Sequence, residues 1–250
     1  MTKAELKEFL DFKVLQYNHP DFILDDPIQL PHRFTRKEDI EIVAFLVATI
    51  AWGKRVMIIR SGERLIDLMG EAPYEFVMNY APNSLPTFVH RTFQGEDLDF
   101  FFRSLRRIYE GNGLEAAFAP HIDFPGARGR IIQFRKHFLD GPHEKRSEKH
   151  LSDPAANSAA KRLNMFLRWM ARKDLCGVDF GLWPSISPSE LCIPLDVHTA
   201  TVSRELGLLK RKQNDWKALE EIMHTLRSFD PNDPAKYDFA LFGVGAMERS

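Results

Sequence analysis

The sequence predicts an all-α fold, and three observations support that prediction. Apolar residues recur at the three- and four-residue spacing of a helix face in almost every segment. No segment alternates apolar and polar residues as a half-buried strand would, and no repeat of fixed period is present. Glycine, proline and capping residues divide the periodic segments at short intervals, which indicates about a dozen helices.

The helices of the first half follow one another with short breaks. Their predicted ranges are 3–17, 39–52, 54–69, 74–80, 96–110, 114–120 and 128–139. Thr35 and Glu38 have the spacing of a capping box at the start of the second of these helices. That helix is apolar over nearly all of 42–52 and is therefore expected to be buried on most sides. Residues 82–92 are predicted to form an irregular link.

The most linker-like stretch is 140–152, which is rich in charged residues and holds hardly any apolar ones. His143 and His150 in this stretch, and the nearby His137, are expected to be solvated. The helices predicted beyond it are 155–172, one that begins at Val197, 216–229 with Asn214 or Asp215 as its cap, and a last one opening at 233–234.

This pattern predicts a helical protein of one domain or two closely packed subdomains. The early helical lobe is expected at 36–140, and the second lobe, which carries Asp196, at 153–250. Residues 1–35 are expected to pack as an N-terminal helix and connection. A chain of 250 residues is long enough to bury a sizeable core in this arrangement.

Composition excludes several classes of protein. No apolar run approaches the ~20 residues of a membrane helix, and the N-terminus lacks the apolar core of a signal peptide. The two cysteines, Cys176 and Cys192, form neither a disulfide framework nor a paired metal motif, so a reducing cytoplasm is expected. No four-cysteine cluster, zinc motif or glycine-rich phosphate loop is present, and no metal or cofactor is expected.

The charge of the chain is unevenly distributed. Its net charge of −1 argues neither for nor against a nucleic-acid partner. Residues 126–173, however, hold twelve lysines and arginines against four acidic residues, an excess of eight positive charges. Such a segment can form a phosphate-facing patch, or it can be a solvated face that acidic helices elsewhere balance.

Asp196 is the candidate catalytic residue. It follows an apolar run, 191–195, and directly precedes the helix that begins at Val197. A carboxylate in this place can cap the helix, because it accepts a hydrogen bond from the amide of Thr199 or its neighbour. Capping alone and catalysis are both open on these residues.

Two stretches around Asp196 resemble the helix-hairpin-helix DNA glycosylases. Residues 193–199, Ile-Pro-Leu-Asp-Val-His-Thr, and 206–208, Leu-Gly-Leu, are similar to the segment where a Val-Asp-Thr-His motif precedes a helix ending in Leu-Gly-Leu. Residues 238–243 and the apolar helix at 41–50 are also similar to that superfamily. The usual hairpin, Leu-Pro-Gly-Val-Gly followed by Lys-Thr-Ala, is absent, since 179–193 holds one glycine and no lysine.

The chain as a whole resembles a bacterial family of unknown function, DUF2400. Residues 88–91, 162–170 and 194–199 look like signatures of that family, and the resemblance covers essentially all 250 residues. It implies membership of a family without implying an activity.

The glycosylase resemblance implies a function in DNA repair. It implies a two-lobed helical fold with a divergent hairpin, and base excision from double-stranded DNA, with or without a lyase step, in the cytoplasm at the nucleoid. Asp196 would stabilise the sugar cation or activate the nucleophile. Lys161 stands where the divergent archaeal 8-oxoguanine glycosylases place their nucleophilic lysine. A phosphate-contacting or solvated lysine is the other interpretation of Lys161.

The resemblance also implies which residues would meet DNA. A flipped base is held between aromatic or apolar side chains, and the candidates for this pocket are Trp52, Trp169, Phe180, Trp183 and His198. Core packing is the other interpretation of Trp169. The candidates for contacts with the DNA backbone are Arg162, Arg168, Thr199, Lys210, Arg211 and Lys212.

Two other classes of function remain open. One is a nucleic-acid-binding protein that keeps the scaffold without the chemistry. The other is an enzyme that acts on a small molecule or free nucleoside, with Asp196 as its general base.

Overall fold

The computed structural model describes residues 1–81 and 85–247, and the chain is mostly helical there. Helices account for 62% of the structure and strands for 2%, which confirms the all-α prediction. Within the described residues, no helix is long and apolar enough to cross a membrane. Part of the predicted link at 82–92, residues 82–84, lies outside the described residues.

The α-helices vary from five to sixteen residues in length. In chain order they are α1 (Lys3–Tyr17), α2 (Asp21–Asp25), α3 (Lys37–Ile50), α4 (Arg55–Leu68), α5 (Pro73–Met78), α6 (Gly95–Glu110), α7 (Gly113–Ala117), α8 (Gly126–Phe138), α9 (Lys161–Ala171), α10 (Val197–Glu205), α11 (Trp216–Phe229) and α12 (Tyr237–Phe242). Short 3-10 turns lie at Pro27–Gln29, Pro31–Arg33, Lys145–His150, Pro188–Glu190 and Pro234–Lys236.

A two-stranded antiparallel ribbon lies between α5 and α6. Its strands are β1 (Val89–His90) and β2 (Phe93–Gln94), with His90 paired to Phe93. The sequence predicted an irregular link here, because strands of two residues are too short to show alternation.

The chain divides into two compact units. The first unit combines Met1–Leu24 with Asp153–Ser250, and the second is Asp25–Ser152. The N-terminal helix belongs to the first unit because α1 packs on α12. A Cβ added to Gly243 would lie 2.1 Å from the ring of Tyr17, so glycine permits this close approach.

Aromatic rings fill the core of the second unit. Every residue of α3 from Ile40 to Ile50 is buried, as its apolar sequence predicts. The ring centroid of Phe45 on α3 lies 5.7 Å from that of Phe101 on α6. It lies 5.4 Å and 5.3 Å from those of Phe134 and Phe138 on α8. These ring contacts hold three helices together.

Two predicted helix starts are wrong for identifiable reasons. The N-cap of α3 is Arg36, which makes no side-chain cap. Thr35 therefore precedes the N-cap by one residue, and Glu38 is the second residue of the helix instead of the third. They cannot form a capping box. The helix predicted from residue 155 begins only at Lys161, because Asn157 and Ala160 have φ values of +66° and +44°. This left-handed backbone cannot continue a right-handed helix.

The stretch predicted to be a solvated linker is instead anchored by a buried carboxylate. Asp97, with no exposed surface, accepts hydrogen bonds from Ser147 Oγ at 2.6 Å and Arg146 Nη1 at 3.1 Å. The Nε2 atom of His150 lies 3.3 Å from Asp97 Oδ2, and only 4% of His150 is exposed. The prediction that His150 is solvated is therefore wrong, whereas His137 is exposed as expected.

Part of the positive charge in 126–173 is used in contacts within the protein. The arginines of this segment that bond to carboxylates or carbonyl groups are Arg130, Arg135, Arg146, Arg168 and Arg172. The segment is also divided between the two units. Its formal charge therefore does not describe one phosphate-facing patch.

A buried ion network joins three parts of the first unit. Arg168 of α9 pairs with Asp179 at 3.2 Å and with Asp238 of α12, and its guanidinium lies over the ring of Phe239. Arg172 pairs with Asp179 at 3.0 Å and with Asp233. The side chain of Asp179 is fully buried, so its charge depends on both arginines.

We predict that Asp179→Ala destabilises the first unit by about 3–5 kcal/mol, because it leaves two buried guanidinium groups short of a partner. Urea unfolding followed by tryptophan fluorescence measures this, since Trp169, Trp183 and Trp216 are buried in that unit. Lys7→Ala is the control: Lys7 is in a partly exposed pair with Asp11, and its loss should cost less than about 0.5 kcal/mol. Equal losses in the two variants would show that the network does not stabilise the unit.

Candidate nucleic-acid interface

A cleft of about 430 Å³ opens in the second unit between the start of α4 and the β1–β2 ribbon. Its lining combines aromatic, apolar and cationic side chains and contains no carboxylate. The lining residues are Trp52, Gly53, Lys54, Met57, Arg60, Ser61, Arg64, Val89, His90 and Arg91. A concave site of this composition attracts anions, because no acidic group in its wall offsets the cations.

Trp52 forms the aromatic part of the cleft. It follows α3, is partly exposed, and makes an edge contact with His90 at a centroid distance of 5.2 Å. Its indole also stacks on His150, with centroids 6.0 Å apart and planes inclined by 23°. The two imidazoles therefore fix the orientation of a tryptophan that still offers surface to a ligand.

His90 connects Trp52 to α4. Its Nδ1 lies 2.8 Å from Ser61 Oγ, and its Nε2 lies 3.4 Å from the carbonyl oxygen of Trp52. A neutral imidazole satisfies both contacts when Ser61 donates to Nδ1 and Nε2–H donates to the carbonyl group. Burial, followed by the charges of Arg91 and Arg64, lowers the pKa of His90 below its usual value of 6.5. His90 is therefore neutral at pH 7 and shapes the cleft without adding charge.

Gly53 allows Arg91 to reach across the cleft. Arg91 lies in the two-residue loop of the ribbon with φ of +56°, a strained conformation for this residue type. A Cβ added to Gly53 would lie 2.5 Å from Nη1 of Arg91, and the φ of Gly53 is +105°. A side chain at Gly53 would therefore collide with the guanidinium as well as strain the backbone.

The cations of the cleft are exposed and mostly without a partner. The side chains of Lys54, Arg60 and Arg91 make no hydrogen bond or ion pair with any residue of 1–81 or 85–247. Arg64 donates to the carbonyl group of Val89 at 3.4 Å and pairs with no described carboxylate. The N-terminus of α4 adds positive potential, because neither a side-chain cap nor an acidic residue occupies its first turn.

Asp196 is placed in the first unit as a helix cap. Its Oδ1 accepts a hydrogen bond of 2.8 Å from the backbone amide of Thr199, which confirms the predicted N-cap of α10. Asp196 is partly exposed, and its side chain makes no ion pair with the described residues. The neighbouring His198 is exposed, whereas Thr199 is 1% exposed.

Lys161 and Arg162 open α9 in the same unit. Lys161 is partly buried, and its side chain makes no hydrogen bond or ion pair among the described residues. Burial lowers the pKa of Arg162 to about 10. The strained turn at Asn157 and Ala160 fixes where this helix starts. Asn157 is held in turn by Asp215, which accepts from its side-chain amide at 2.9 Å.

Three residues proposed from the sequence for pocket or DNA contacts lie inside the first unit. Trp169 and Trp183 are 1% and 0% exposed, and Trp183 packs edge-on against Phe166. Arg168 is enclosed in the ion network with Asp179 and Asp238. Side chains so placed offer no surface to a ligand in this conformation.

The remaining proposed residues lie at or near the surface of the first unit. Phe180 is partly buried, and its amide donates to the carbonyl oxygen of Trp169 at 2.8 Å. Lys210 and Lys212 are exposed, whereas Arg211 pairs with Asp215 at 2.5 Å. Trp52 is the residue of the proposed pocket that lines the cleft of the second unit.

The basic residues of the cleft were missed by the sequence reasoning. A local signal existed, because Arg60 and Arg64 are four residues apart on α4 and share one face. His90 and Arg91 stood within the 88–91 family signature but were not linked to a site. What joins them to Trp52 is the packing of the ribbon against α4, which no local pattern contains.

These features define a helical protein with a basic, tryptophan-containing cleft. Residues 26–247 match the model of the family described as "Protein of unknown function (DUF2400)", and the chain belongs to that family. No curated protein and no solved structure matches the chain. The predicted family is therefore confirmed, whereas the likeness to DNA glycosylases stays a prediction.

We predict that stability falls as the pH drops below about 6.5, partly because of His90. The folded state binds this proton less readily than the unfolded state does, so acid favours unfolding through the lowered pKa. Urea unfolding between neutral and mildly acidic pH should show a shallower decline for His90→Gln than for the wild type. His137→Gln, at an exposed position of the same unit, should retain the full decline; a full decline in both variants would exclude the effect.

Proposed function

We propose that the protein binds nucleic acid through the cleft of the second unit. The observation that carries this proposal is the presence of a partly exposed tryptophan and unpaired cations in one cleft without a carboxylate. Lysine and arginine neutralise backbone phosphates whatever the sequence. An exposed indole offers a face on which an unstacked base can lie.

The division of roles follows from the chemistry of each side chain. Lys54, Arg60 and Arg91 are free of competing carboxylates among the described residues, so binding a phosphate breaks no existing ion pair. Trp52 is held from behind by His90 and His150, which reduces the entropy that stacking a base would cost. The cleft therefore supports binding of an unpaired nucleotide within a single strand or an opened duplex.

We predict that Lys54→Gln and Arg60→Gln each weaken the binding of an oligonucleotide and make it less dependent on salt. Each lost phosphate contact should reduce the slope of log K against log salt by roughly one. Fluorescence anisotropy with a labelled single strand and the matching duplex, over a salt series, measures both effects. The matched control is Lys136→Gln, an exposed lysine of α8 outside the cleft. Equal weakening by all three substitutions would place binding elsewhere.

Base excision by Asp196 is a second candidate function. Its support is a partly exposed carboxylate that makes one backbone hydrogen bond and no ion pair among the described residues. Such an anion is available to stabilise a sugar cation as the base leaves. Lys161, partly buried and without an ion-pair partner in the described chain, is the proposed amine nucleophile of a lyase step.

We predict that Asp196→Asn lowers base release by at least about 100-fold, as loss of a charged catalytic group does. Asparagine is also a good N-cap, so α10 and the fold should be retained. A panel of duplexes with damaged bases measures release. Asp26→Asn is the control, because the Asp26 side chain also caps a helical turn and Asp26 is not one of the proposed catalytic or DNA-contact residues.

Two results would count against base excision. One is unchanged release by Asp196→Asn, and the other is no release by the wild type from any duplex of the panel. Borohydride trapping separately tests Lys161, since the adduct should be lost in Lys161→Gln.

A further inference from the structure

The size of the cleft limits what part of a nucleic acid can enter it. Its volume of about 430 Å³ is that of a pocket for a small ligand. Nonspecific binding of a duplex uses a surface that follows many phosphates. This cleft instead has room for about one nucleotide unit. The charge of that single unit therefore decides how strongly the cations of the cleft bind it.

The positive charge of the residues that line the cleft exceeds the negative charge of an internal nucleotide. Lys54, Arg60, Arg64 and Arg91 carry four positive charges, and His90 is neutral. An internal phosphodiester brings one negative charge. A terminal phosphomonoester carries about −1.5 to −2 at pH 7 because its second pKa is near 6, and it offers three acceptor oxygens. Arginine and lysine bind such groups through charge-assisted hydrogen bonds.

Other lining residues are suited to a base. Met57 and Val89 line the cleft together with Trp52, and they remain 49% and 57% exposed. Exposed apolar and indole side chains gain from covering by a flat, weakly polar ring. A ligand with an aromatic ring at one end and a dianion at the other matches both kinds of lining residue.

From this match we propose that the cleft binds a nucleotide that carries a terminal phosphomonoester. The base lies on Trp52 with Met57 and Val89, and the phosphate is bound by Lys54, Arg60 and Arg91. This assignment rests on the proposed binding of nucleic acid and specifies its substrate class: a phosphorylated strand end or a free nucleoside monophosphate.

The test compares ligands that differ only in the terminal phosphate. Single strands of one sequence carry a 5′-phosphate, a 3′-phosphate or hydroxyl groups at both ends; a nucleoside monophosphate and its nucleoside are measured beside them. Quenching of Trp52 reports occupancy, because the other three of the four tryptophans are buried. One phosphorylated end should bind at least about tenfold more tightly than the hydroxyl strand.

Variants separate the cleft from the rest of the surface. Arg91→Gln and Lys54→Gln should reduce the tenfold preference to near unity, while Lys136→Gln should retain it. Trp52→Phe should abolish the quenching signal, and anisotropy then shows whether binding persists. These side chains are exposed or conservatively replaced, so the fold should survive.

The outcomes distinguish this inference from the function on which it rests. Equal binding of phosphorylated and hydroxyl strands would overturn the phosphomonoester assignment and leave nucleic-acid binding in place. Binding of the monophosphate without any strand would support the assignment and overturn nucleic-acid binding. No binding of strand or monophosphate would overturn both.

Discussion

A buried charge must be paired, and each unit of this protein contains a charge whose partners come from distant segments. In the first unit, Arg168 joins α9 to Asp179 in the following loop and to Asp238 on α12. In the second unit, Asp97 at the start of α6 binds Arg146 and Ser147 from a polar segment fifty residues later. Removal of one partner leaves a desolvated charge, so these contacts are specific as well as stabilising. In the second unit they attach a segment, 140–152, that carries too few apolar residues to pack by itself.

The cations of the cleft differ from these buried charges. Its cations are exposed, and Lys54, Arg60 and Arg91 have no carboxylate partner among the described residues. The wall behind them is nevertheless rigidly built, because His90 contacts Ser61 and the Trp52 carbonyl group. Asp97, which holds Arg146, also lies against the buried His150, on which Trp52 stacks. The same buried charge that anchors the polar segment therefore positions the aromatic surface of the cleft.

Two helix-capping aspartates of the first unit show how one local role permits different chemistry. Asp196 and Asp215 each accept a hydrogen bond from an amide in the first turn of their helix. Asp215 is also held by Arg211 and Asn157, and these contacts lower its pKa. Asp196 has no such ion pair among the described residues. Capping alone does not distinguish them, so the proposal of catalysis rests on the availability of the Asp196 carboxylate.

The sequence by itself determined the fold class, most of the helices and the cap at Asp196, and it limited the cap of α11 to Asn214 or Asp215, because helix periodicity and capping depend on residues within one or two turns. It also identified Trp52 as a candidate for contact with a base. Only the tertiary structure decided that α1 belongs with the last third of the chain, that His150 is buried, and that the cleft joins residues 52–64 to 89–91. The physical reason is that the partner of a charge or an aromatic ring depends on which distant segments meet, and a local pattern does not contain that information.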